Sequence, residues 1–318
     1  AHPENFGTFW GADGQTPTLE PNDFDGTGLY PCILELRRLL VGMTLAIRES
    51  NQDNSTALAA ALNQEEAILT AGVNAYVQAA LARNTTGAVI APISPANTQN
   101  KVIRNLFEKA EEGLEERGEL IEYTQVINEE RRFKRGRYGS TSDQLYSLAE
   151  THFESLRPAL TEYKDSLFYG PDHPGFFELK DAVRVMGTGV TSWSRLRFFL
   201  LVEGPSADLE DDVILEMKEI SSSSAFQWFP PGLSTNTEAE RIQIALHELW
   251  SSEGRDPFWS AVVWQGIPVQ IRAESDAHKT IRVRKLNGSS GSVESLVGVA
   301  EALFKTLARM HDTDRNGL

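Results

Sequence analysis

The first half of the chain carries apolar residues at helical spacing, with polar residues between them. This pattern predicts helices over residues 29–49, 98–119 and 143–168, and a pair of helices over residues 55–83. The run Asn84-Thr85-Thr86-Gly87 has the composition that ends a helix, and a basic and polar loop is expected at residues 131–142. The first half is therefore predicted to be a helical unit that follows opening turns.

The second half carries short apolar runs separated by glycine, proline and serine, a pattern typical of β-structure. Strands are predicted at residues 183–186, 196–202, 213–218, 261–264, 269–272 and 280–286. Helical spacing returns at residues 238–250 and 292–311. The segment 170–175 is rich in glycine and proline and is the predicted boundary between the two patterns.

Together these patterns predict an α+β fold in three parts. A helical lobe is expected at residues 1–175, and a small antiparallel sheet lobe at 176–290. The closing helix at 291–318 is expected to pack back on the helical lobe. A chain of 318 residues is long enough for two lobes that each bury a core.

The composition argues against nucleic acid and membrane as partners. The net charge of -15 and the pI near 4.9 argue against nucleic acid, because phosphate binding needs clustered lysine and arginine. No apolar run reaches the length of about 18 residues that a membrane helix needs, so no membrane partner is expected. The single cysteine, Cys32, excludes an internal disulfide and fits a reducing compartment, so a cytoplasmic location is expected.

Two runs near the start, residues 2–7 and 22–26, place asparagine or aspartate beside an aromatic residue and a glycine. The side-chain oxygens of Asn5, Asp23 and Asp25 suit a hard cation such as magnesium. In kinase-like enzymes an asparagine of the catalytic loop and an aspartate of the next turn hold magnesium together. Asparagine, aspartate and glycine are also the usual residues of turns, so a plain turn remains the alternative for each run.

The predicted sheet lobe contains a second group of candidate residues. Gly187 and Gly189 form a Gly-x-Gly turn between two predicted strands, where backbone amides can approach a phosphate. Lys218 follows an apolar strand, and a lysine there needs either an anion or an exposed face. Glu238 and Glu240 begin the next helix, and either could pair with Lys218. The alternatives are a simple hairpin turn and an edge lysine that points to water.

Several stretches carry a resemblance to a bacterial family known as domain of unknown function 2252. They occur in the order that this family shows, at residues 1–7, 22–25, 35–39, 187–204, 214–220 and 307–311. The resemblance covers nearly the whole chain, although residues 50–170 match only loosely. The family brings no settled activity with it.

The motifs of that family are similar to those of aminoglycoside and choline phosphotransferases, but their order differs. In those enzymes the glycine turn, lysine and glutamate come first, and a helix ending in Leu-Ala-x-x-His leads into the catalytic loop. Here Leu307 to His311 stand near the end, whereas His2 and Asn5 stand at the beginning. The resemblance therefore implies a two-lobed, protein-kinase-like fold that is circularly permuted.

The resemblance also implies ATP and magnesium as cofactors, and phosphoryl transfer to an unknown small-molecule or protein acceptor. Asn5 and Asp23 would hold magnesium, with Asp25 as a second metal contact. His2 would brace the loop. Glu35 would do so as well, together with Arg37 or Arg38.

The remaining implied roles concern the nucleotide. Lys218 would neutralise the α- and β-phosphates and would be oriented by Glu238 or Glu240. The backbone around residues 282–285, including Arg282 and Val283, would be the hinge that faces adenine.

One position departs from the resembled pattern. The aspartate expected to act as catalytic base would immediately precede Ala1, so the chain is expected to begin within a motif of a longer protein. Two alternatives stay open. One is a nucleotide-binding pseudokinase or regulatory module without turnover. The other is a metal-dependent hydrolase in which His2, Asp23 and Asp25 bind the ion directly.

Overall fold

The computed structural model describes residues 1–12, 14–137, 144–170, 175–186, 195–222, 226, 228, 232, 235–251, 253–286 and 293–312. Within these residues the fold is α+β, as the sequence pattern predicts. One core lies between helices, and another lies against an antiparallel sheet. Gly187 and Gly189 of the predicted glycine turn lie outside the described residues.

The described elements are as follows in chain order. The helices are α1 (Cys32–Ser50), α2 (Ser55–Asn63), α3 (Glu65–Thr86), α4 (Lys101–Glu116), α5 (Gly118–Tyr123), α6 (Glu150–Ser166), α7 (Glu238–Leu249) and α8 (Val293–Met310). The strands are β1 (Phe6–Trp10), β2 (Pro17–Pro21), β3 (Thr124–Ile127), β4 (Glu130–Phe133), β5 (Gly136–Arg137), β6 (Gln144–Ser147), β7 (Leu179–Met186), β8 (Arg197–Val202), β9 (Val213–Glu219), β10 (Ser260–Trp264) and β11 (Ile267–Ala273). Short 3-10 helices cover Pro3–Asn5, Leu209–Asp211 and Val283–Lys285.

Capping residues define several helix ends. Asn54 accepts a hydrogen bond from the Ala57 amide at 3.0 Å at the start of α2. Asn100 caps α4 in the same way. Gly87 follows α3 with φ at +70°, a left-handed conformation that favours glycine. The helix end predicted there is confirmed.

The helical core lies between α1, α2, α3, α4 and α8, and Phe107 and Leu307 are fully or almost fully buried in it. Helices α3 and α8 pack closely at Gly72, where an added Cβ would lie 2.7 Å from the Phe304 ring. Any larger residue at position 72 would push the helices apart. The final helix therefore lies against the helices of the first half.

The large sheet has the strand order β10-β11-β9-β8-β7-β6-β5 within the described residues, and each pair is antiparallel. Side chains alternate between the two faces of a strand. On β9, Val213, Leu215 and Met217 face α6 and share a core with Leu160 and Tyr163. Within the described residues, α6 thus packs on this face of the sheet.

The other face of the sheet carries charged residues. By the same alternation, Glu216 and Lys218 share this face with Ile214. The β3–β4 hairpin and α5 cover one end of the face, and α7 covers the other. The β1–β2 hairpin packs beside α7, with the Phe9 ring 5.8 Å from that of Trp259. The charged face and the opening hairpin therefore lie on the same side of the sheet.

The sheet begins earlier in the chain than predicted. The expected loop at 131–142 contributes β4 and β5 in its described part, and the helical region expected from 143 begins with β6. Helix α6 packs on the sheet because its apolar face meets β9 and β11. The change from helical core to sheet core therefore falls near residue 117, and the predicted boundary at 170–175 lies inside the sheet unit.

The early strands contain many charged residues, and for this reason the sequence pattern predicted a loop there. Arg131 lies 2.7 Å from Glu210, and Arg135 lies 2.7 Å from Asp181. Because these guanidinium groups are held by one carboxylate of the sheet and one of the 3-10 helix at Leu209–Asp211, a basic run can form strands instead of a solvated loop.

Two further segments differ from expectation. Residues 6–10 and 17–21, expected within opening turns, are the paired strands β1 and β2. The strand expected at 280–286 is a 3-10 helix preceded by a single bridge between Thr280 and Gly7. The bridge to Gly7 depends on a partner that is distant in sequence, which a local pattern does not report.

No helix among the described residues is long and apolar enough to cross a membrane.

Candidate functional site

The β1–β2 hairpin brings the two opening motifs together. Its register sets Phe6 opposite Pro21, so the residues that flank the strands meet at the base of the hairpin. There the Asn5 Nδ2 group donates a hydrogen bond to Asp23 Oδ2 at 3.0 Å. The two residues predicted as magnesium ligands therefore lie side by side, although 18 positions separate them in the sequence.

The 3-10 helix before β1 positions Asn5. The His2 amide donates to Asn5 Oδ1 at 3.0 Å, and the Asn5 amide donates to the His2 carbonyl at 2.8 Å. Helix α1 approaches closely at Gly42, where an added Cβ would lie 2.9 Å from Pro3. Burial lowers the pKa of His2, which keeps its imidazole neutral. The bracing contacts to Asn5 are thus made by the His2 main chain.

Asp25 is half-buried two residues after Asp23. Its Oδ2 lies 3.3 Å from the Arg195 guanidinium and accepts a long hydrogen bond of 3.5 Å from Ser221. Its Oδ1 is buried and has no hydrogen-bond partner among the described residues. Burial raises the pKa of Asp25, and the charge of Lys218 is the strongest influence in the opposite direction. Asp25 thus offers one oxygen that the described protein groups leave unused.

Lys218 projects from β9 on the charged face of the sheet. The neighbouring Glu216 is already paired with Arg197 at 3.1 Å and with Arg272 at 2.8 Å. Within the described ranges Lys218 itself forms no salt bridge, although its charge acts on Asp25. The fold therefore leaves a strand lysine near the Asp23–Asp25 turn without a direct counter-ion from those ranges.

Arg241 of α7 holds that turn in place, a role that the sequence analysis did not assign. Its side chain is 1% exposed, and its guanidinium donates to the main-chain carbonyls of Phe24, Asp25 and Thr27 at 2.9–3.2 Å. A single buried cation thus satisfies three carbonyls of the loop that carries Asp23 and Asp25. One sequence signal was available, because Arg241 stands three residues after Glu238 on a helix.

The two acids predicted to orient Lys218 have other partners. Glu238 Oε2 accepts from Arg241 Nε at 2.7 Å, and Glu240 accepts from the Asn236 amide at 2.7 Å. Neither acid forms an ion pair with Lys218 among the described residues. The structure corrects the expected contact to a Glu238–Arg241 pair, because the first turn of α7 faces the Asp23–Asp25 loop.

A cavity of about 450 Å³, here called the turn cavity, borders this site. Its wall includes Asn5, Asp23 and Asp25, with Glu35 from α1 and Glu248 from α7. Glu35, expected to brace the loop together with an arginine, contacts the Ala1 nitrogen. The turn cavity thus gives a ligand direct access to the Asn5–Asp23 pair.

A second cavity of about 210 Å³, here called the linker cavity, lies between β1 and the chain that leaves β11. Gly7 and Asn22 form one side, and Glu274 and Thr280 form the other. The Asn22 Nδ2 group donates to Thr280 Oγ1 at 3.3 Å across it. Because Asn22 directly precedes Asp23, the wall of the linker cavity is one residue away from the Asn5–Asp23 pair along the chain.

Arg282 and Val283, predicted to face adenine, lie beyond the linker cavity. The Val283 amide donates to Glu4 Oε1 at 3.1 Å, and Arg282 is exposed. The residues of this connection that line the cavity are 272–275 and 278–280. The residues that line the linker cavity therefore precede Arg282 and Val283, the residues predicted to face adenine.

The end of α8 is tied to the same region by buried polar contacts. Arg309 and Glu20 form an ion pair in which both side chains are essentially inaccessible to water. His311 Nδ1 lies 2.9 Å from the Tyr76 hydroxyl, and burial lowers the pKa of His311 to about 4. These residues hold α8 against β2 and α3.

One group of three acids among the described residues is close enough to hold a metal ion, and it lies elsewhere. Glu203, Asp211 and Asp212 offer carboxylate oxygens within 4.8 Å of one another at the β8–β9 turn. The Lys180 ammonium already pairs with Glu203 at 2.9 Å and with Asp212. This cluster therefore has its own internal cation.

Comparisons place the chain in a family without naming an activity. No curated protein and no solved structure matches it. A family model described as an uncharacterized protein conserved in bacteria (DUF2252) matches residues 1–315. Since that match covers almost the entire sequence, the chain belongs to this bacterial family.

Proposed function

We propose that the chain is an ATP- and magnesium-dependent phosphotransferase with a kinase-like site. It would act on a small-molecule or protein acceptor. The observation that carries the proposal is the contact between Asn5 and Asp23, formed beside a strand lysine that has no salt bridge within the described ranges. An asparagine, an aspartate and a lysine are the groups with which kinase-like enzymes hold magnesium and phosphate.

The order of elements supports the proposal. In protein kinases the phosphate-binding lysine is on the third strand of the sheet lobe, and a helix follows it. Counted from β7, the strand that carries Lys218 is the third, and α7 is the next helix. Lys218 would neutralise the α- and β-phosphates. The Gly187 and Gly189 turn would approach them, but it lies outside the described residues.

The donor set fits magnesium. Asn5 and Asp23 offer amide and carboxylate oxygens, and Asp25 Oδ1 is a buried oxygen without a partner among the described residues. These three residues would hold the ion, and bound magnesium would offset phosphate charge. Arg241 would keep the loop in position by its three carbonyl contacts.

The two cavities suit the two substrates. The linker cavity adjoins Asp23 through Asn22 and would receive the base of the nucleotide. The turn cavity contains Asn5 and Asp23 in its wall and would receive the acceptor. Phosphoryl transfer would then take place between them, at the Asn5–Asp23 pair.

The proximity of the end of α8 to the His2 loop supports the permuted relationship to aminoglycoside and choline phosphotransferases. Ala1 and residues 310–312 line the same turn cavity. A direct connection from the end of α8 to the His2 loop would therefore be short, and circular permutation is tolerated where such ends are close.

The hydrolase alternative receives less support from the geometry. His2, Asp23 and Asp25 do not form a group of three converging ligands, because in the described residues only the Glu203 cluster does so. Lys218 would also have no role in a hydrolase. Metal binding that needs no nucleotide would favour that alternative.

The proposal is tested by calorimetry of MgATP binding to the wild-type chain, Lys218→Met and Asp23→Asn. Each variant removes a charge-assisted contact, so affinity should fall at least about tenfold. Lys109→Met and Asp53→Asn alter exposed residues of the same types and should bind as the wild type does. A folded wild-type chain that binds no MgATP would contradict the proposal.

Turnover separates an enzyme from a binding module. The chain should be extended upstream with its natural residues, and ATP consumption should be measured with candidate acceptors. If an aspartate precedes Ala1, its change to asparagine should lower turnover by about 10²–10⁴-fold with little effect on MgATP affinity. Binding without turnover in the extended chain would favour the pseudokinase or regulatory alternative.

A further inference from the structure

Three acidic residues lie together where the chain passes from β8 to β9, and this group is here called the acid cluster. It consists of Glu203, Asp211 and Asp212, whose carboxylate oxygens lie within 4.8 Å of one another. Asp212 is fully buried, and the other two residues are partly buried. Asp212 directly precedes β9, whereas Lys218 stands near the other end of that strand. The acid cluster is therefore distinct from the proposed nucleotide site.

Each acid of the cluster uses one carboxylate oxygen for contacts within the protein. Glu203 Oε2 lies 2.9 Å from the Lys180 ammonium, and Asp212 Oδ1 pairs with the same ammonium. Asp211 Oδ2 accepts hydrogen bonds from the Ser206 amide, at 3.0 Å, and from the Ser206 hydroxyl. These contacts hold the three carboxyl groups in place.

The second oxygen of each acid is buried without a hydrogen bond. Glu203 Oε1, Asp211 Oδ1 and Asp212 Oδ2 have no hydrogen-bond partner among the described residues. Arg131 Nε lies 3.8 Å from Asp212 Oδ2, but it donates its hydrogen to the Leu209 carbonyl at 2.8 Å. Buried carboxylate oxygens are normally hydrogen-bonded, because the loss of water is otherwise uncompensated. Three such oxygens on neighbouring acids indicate a site that binds a cation.

The nearby side-chain cations do not balance the charge of the acid cluster. Glu210, beside the cluster, pairs with Arg131 at 2.7 Å. In the part of the chain that the structure describes, four carboxylates thus face two cations, Arg131 and Lys180, and two negative charges stay unmatched. Burial raises the pKa of Asp212, although the Lys180 ammonium favours its ionised form. One divalent cation would supply the charge that balances the cluster.

We propose that the acid cluster binds a calcium ion through Glu203, Asp211 and Asp212. Calcium takes about six to eight oxygen ligands at about 2.3–2.6 Å and accepts irregular geometry, so two of its ligands can lie up to about 5.2 Å apart. Magnesium binds at about 2.0–2.1 Å, which limits the separation to about 4.2 Å. A separation of up to 4.8 Å therefore suits calcium. The ion would join the end of β8 to the start of β9, a role that does not depend on the proposed phosphotransferase activity.

The first test measures calcium binding to the wild-type chain by calorimetry and by thermal unfolding, after treatment with a chelator. We expect a dissociation constant below about 1 mM. In about 5 mM calcium the midpoint of unfolding should rise by about 2–4 °C relative to chelator alone. If Lys180 and Arg131 already satisfy the acids, calcium will neither bind nor raise the midpoint, and the inference is overturned.

Two substitutions assign the binding to the acid cluster. Asp211→Asn and Glu203→Gln each remove one carboxylate charge, so calcium affinity should fall at least about tenfold. Asp208→Asn is the matched control, because it removes an exposed carboxylate of the same connection and keeps an acceptor for the Glu210 amide. Its calcium affinity should stay within about threefold of the wild type. Calcium binding that survives both cluster substitutions, or a cluster that prefers magnesium, would overturn the inference.

Stability with and without calcium distinguishes a ligand from a residue that only supports the fold. Asparagine keeps an acceptor for Ser206, so without calcium Asp211→Asn should be at least as stable as the wild type. With calcium the wild type should become the more stable chain. An equal loss of stability in both conditions would show that Asp211 has only a structural role. The wild-type response to calcium needs no substitution, so it tests the inference even if a variant fails to fold.

Discussion

Two lysines of the same sheet carry their charge in different ways. Lys180 on β7 is held by Glu203 at 2.9 Å and by Asp212, which is fully buried. Lys218 on β9 has no salt bridge within the described ranges, and its charge is felt by Asp25. Because an unpaired ammonium at a partly buried position is costly, the second arrangement is understandable if an anion binds there. A charged side chain with an ion pair inside the fold stabilises the fold. A charged side chain without such a pair can instead bind a ligand of opposite charge.

Two aspartates differ in the same way. Asp212 has a direct ion pair with Lys180. Asp256 is 4% exposed, and its nearest ring nitrogen is that of neutral His278 at 3.4 Å. Burial raises the pKa of Asp256 to about 6. A carboxylate without a cation is thus a source of instability at neutral pH.

Arg241→Met should have the largest effect on the apo chain. The change leaves three loop carbonyls and Glu238 without their donor, so the free energy of unfolding should fall by about 3 kcal/mol or more. Urea titration measures the loss. Arg157→Met removes an exposed i,i+3 pair with Glu154 and should change stability by less than about 0.5 kcal/mol. Equal effects of the two changes would contradict the assigned role of Arg241.

Lys180→Met should come next, with a loss of about 2–3 kcal/mol of unfolding free energy. The change leaves Asp212 buried without its close cation, while the partial exposure of Lys180 reduces the penalty. MgATP affinity of the folded variant should stay within about twofold of the wild type. A loss of nucleotide binding without loss of stability would reverse the distinction between the two lysines.

Lys218→Met should show the opposite behaviour. Since no salt bridge to a described residue is broken, the free energy of unfolding without nucleotide should change by less than about 0.5 kcal/mol. The thermal shift produced by MgATP should be largely lost, because the phosphate contact is removed. A stability loss as large as that of Lys180→Met would show that Lys218 is a structural lysine.

Asp256→Asn should stabilise the chain by an amount that depends on pH. The folded-state pKa of about 6 exceeds the ordinary value of 3.8, so the acid favours folding when it is protonated. That contribution is full below about pH 4 and disappears as the pH rises through 6. Asparagine keeps the acceptor for the Phe258 amide, so the variant should be about 1–2 kcal/mol more stable than the wild type at pH 8. Unfolding at pH 4 and pH 8 measures the difference, and a variant that is less stable at pH 8 would contradict it.

The sequence alone determined the features that depend on nearby residues. Helical spacing located α1, α4, α7 and α8 to within a few residues, because the apolar side chains of one helix face recur at every turn. The α+β class followed from the change of pattern along the chain. The bacterial family followed from ordered motifs, and the family match over residues 1–315 confirms it. The kinase-like activity stays a prediction.

Only the tertiary structure decided which distant residues meet. The pairing of β1 with β2 set Asn5 against Asp23, a contact that neither run could specify by itself. Because the first turn of α7 faces the Asp23–Asp25 loop, Glu238 pairs with Arg241 instead of Lys218. Helix spacing reports which residues share a face, but the partner of that face depends on the packing of the whole chain. Charges such as that of Lys218 acquire a role only when their neighbours are known.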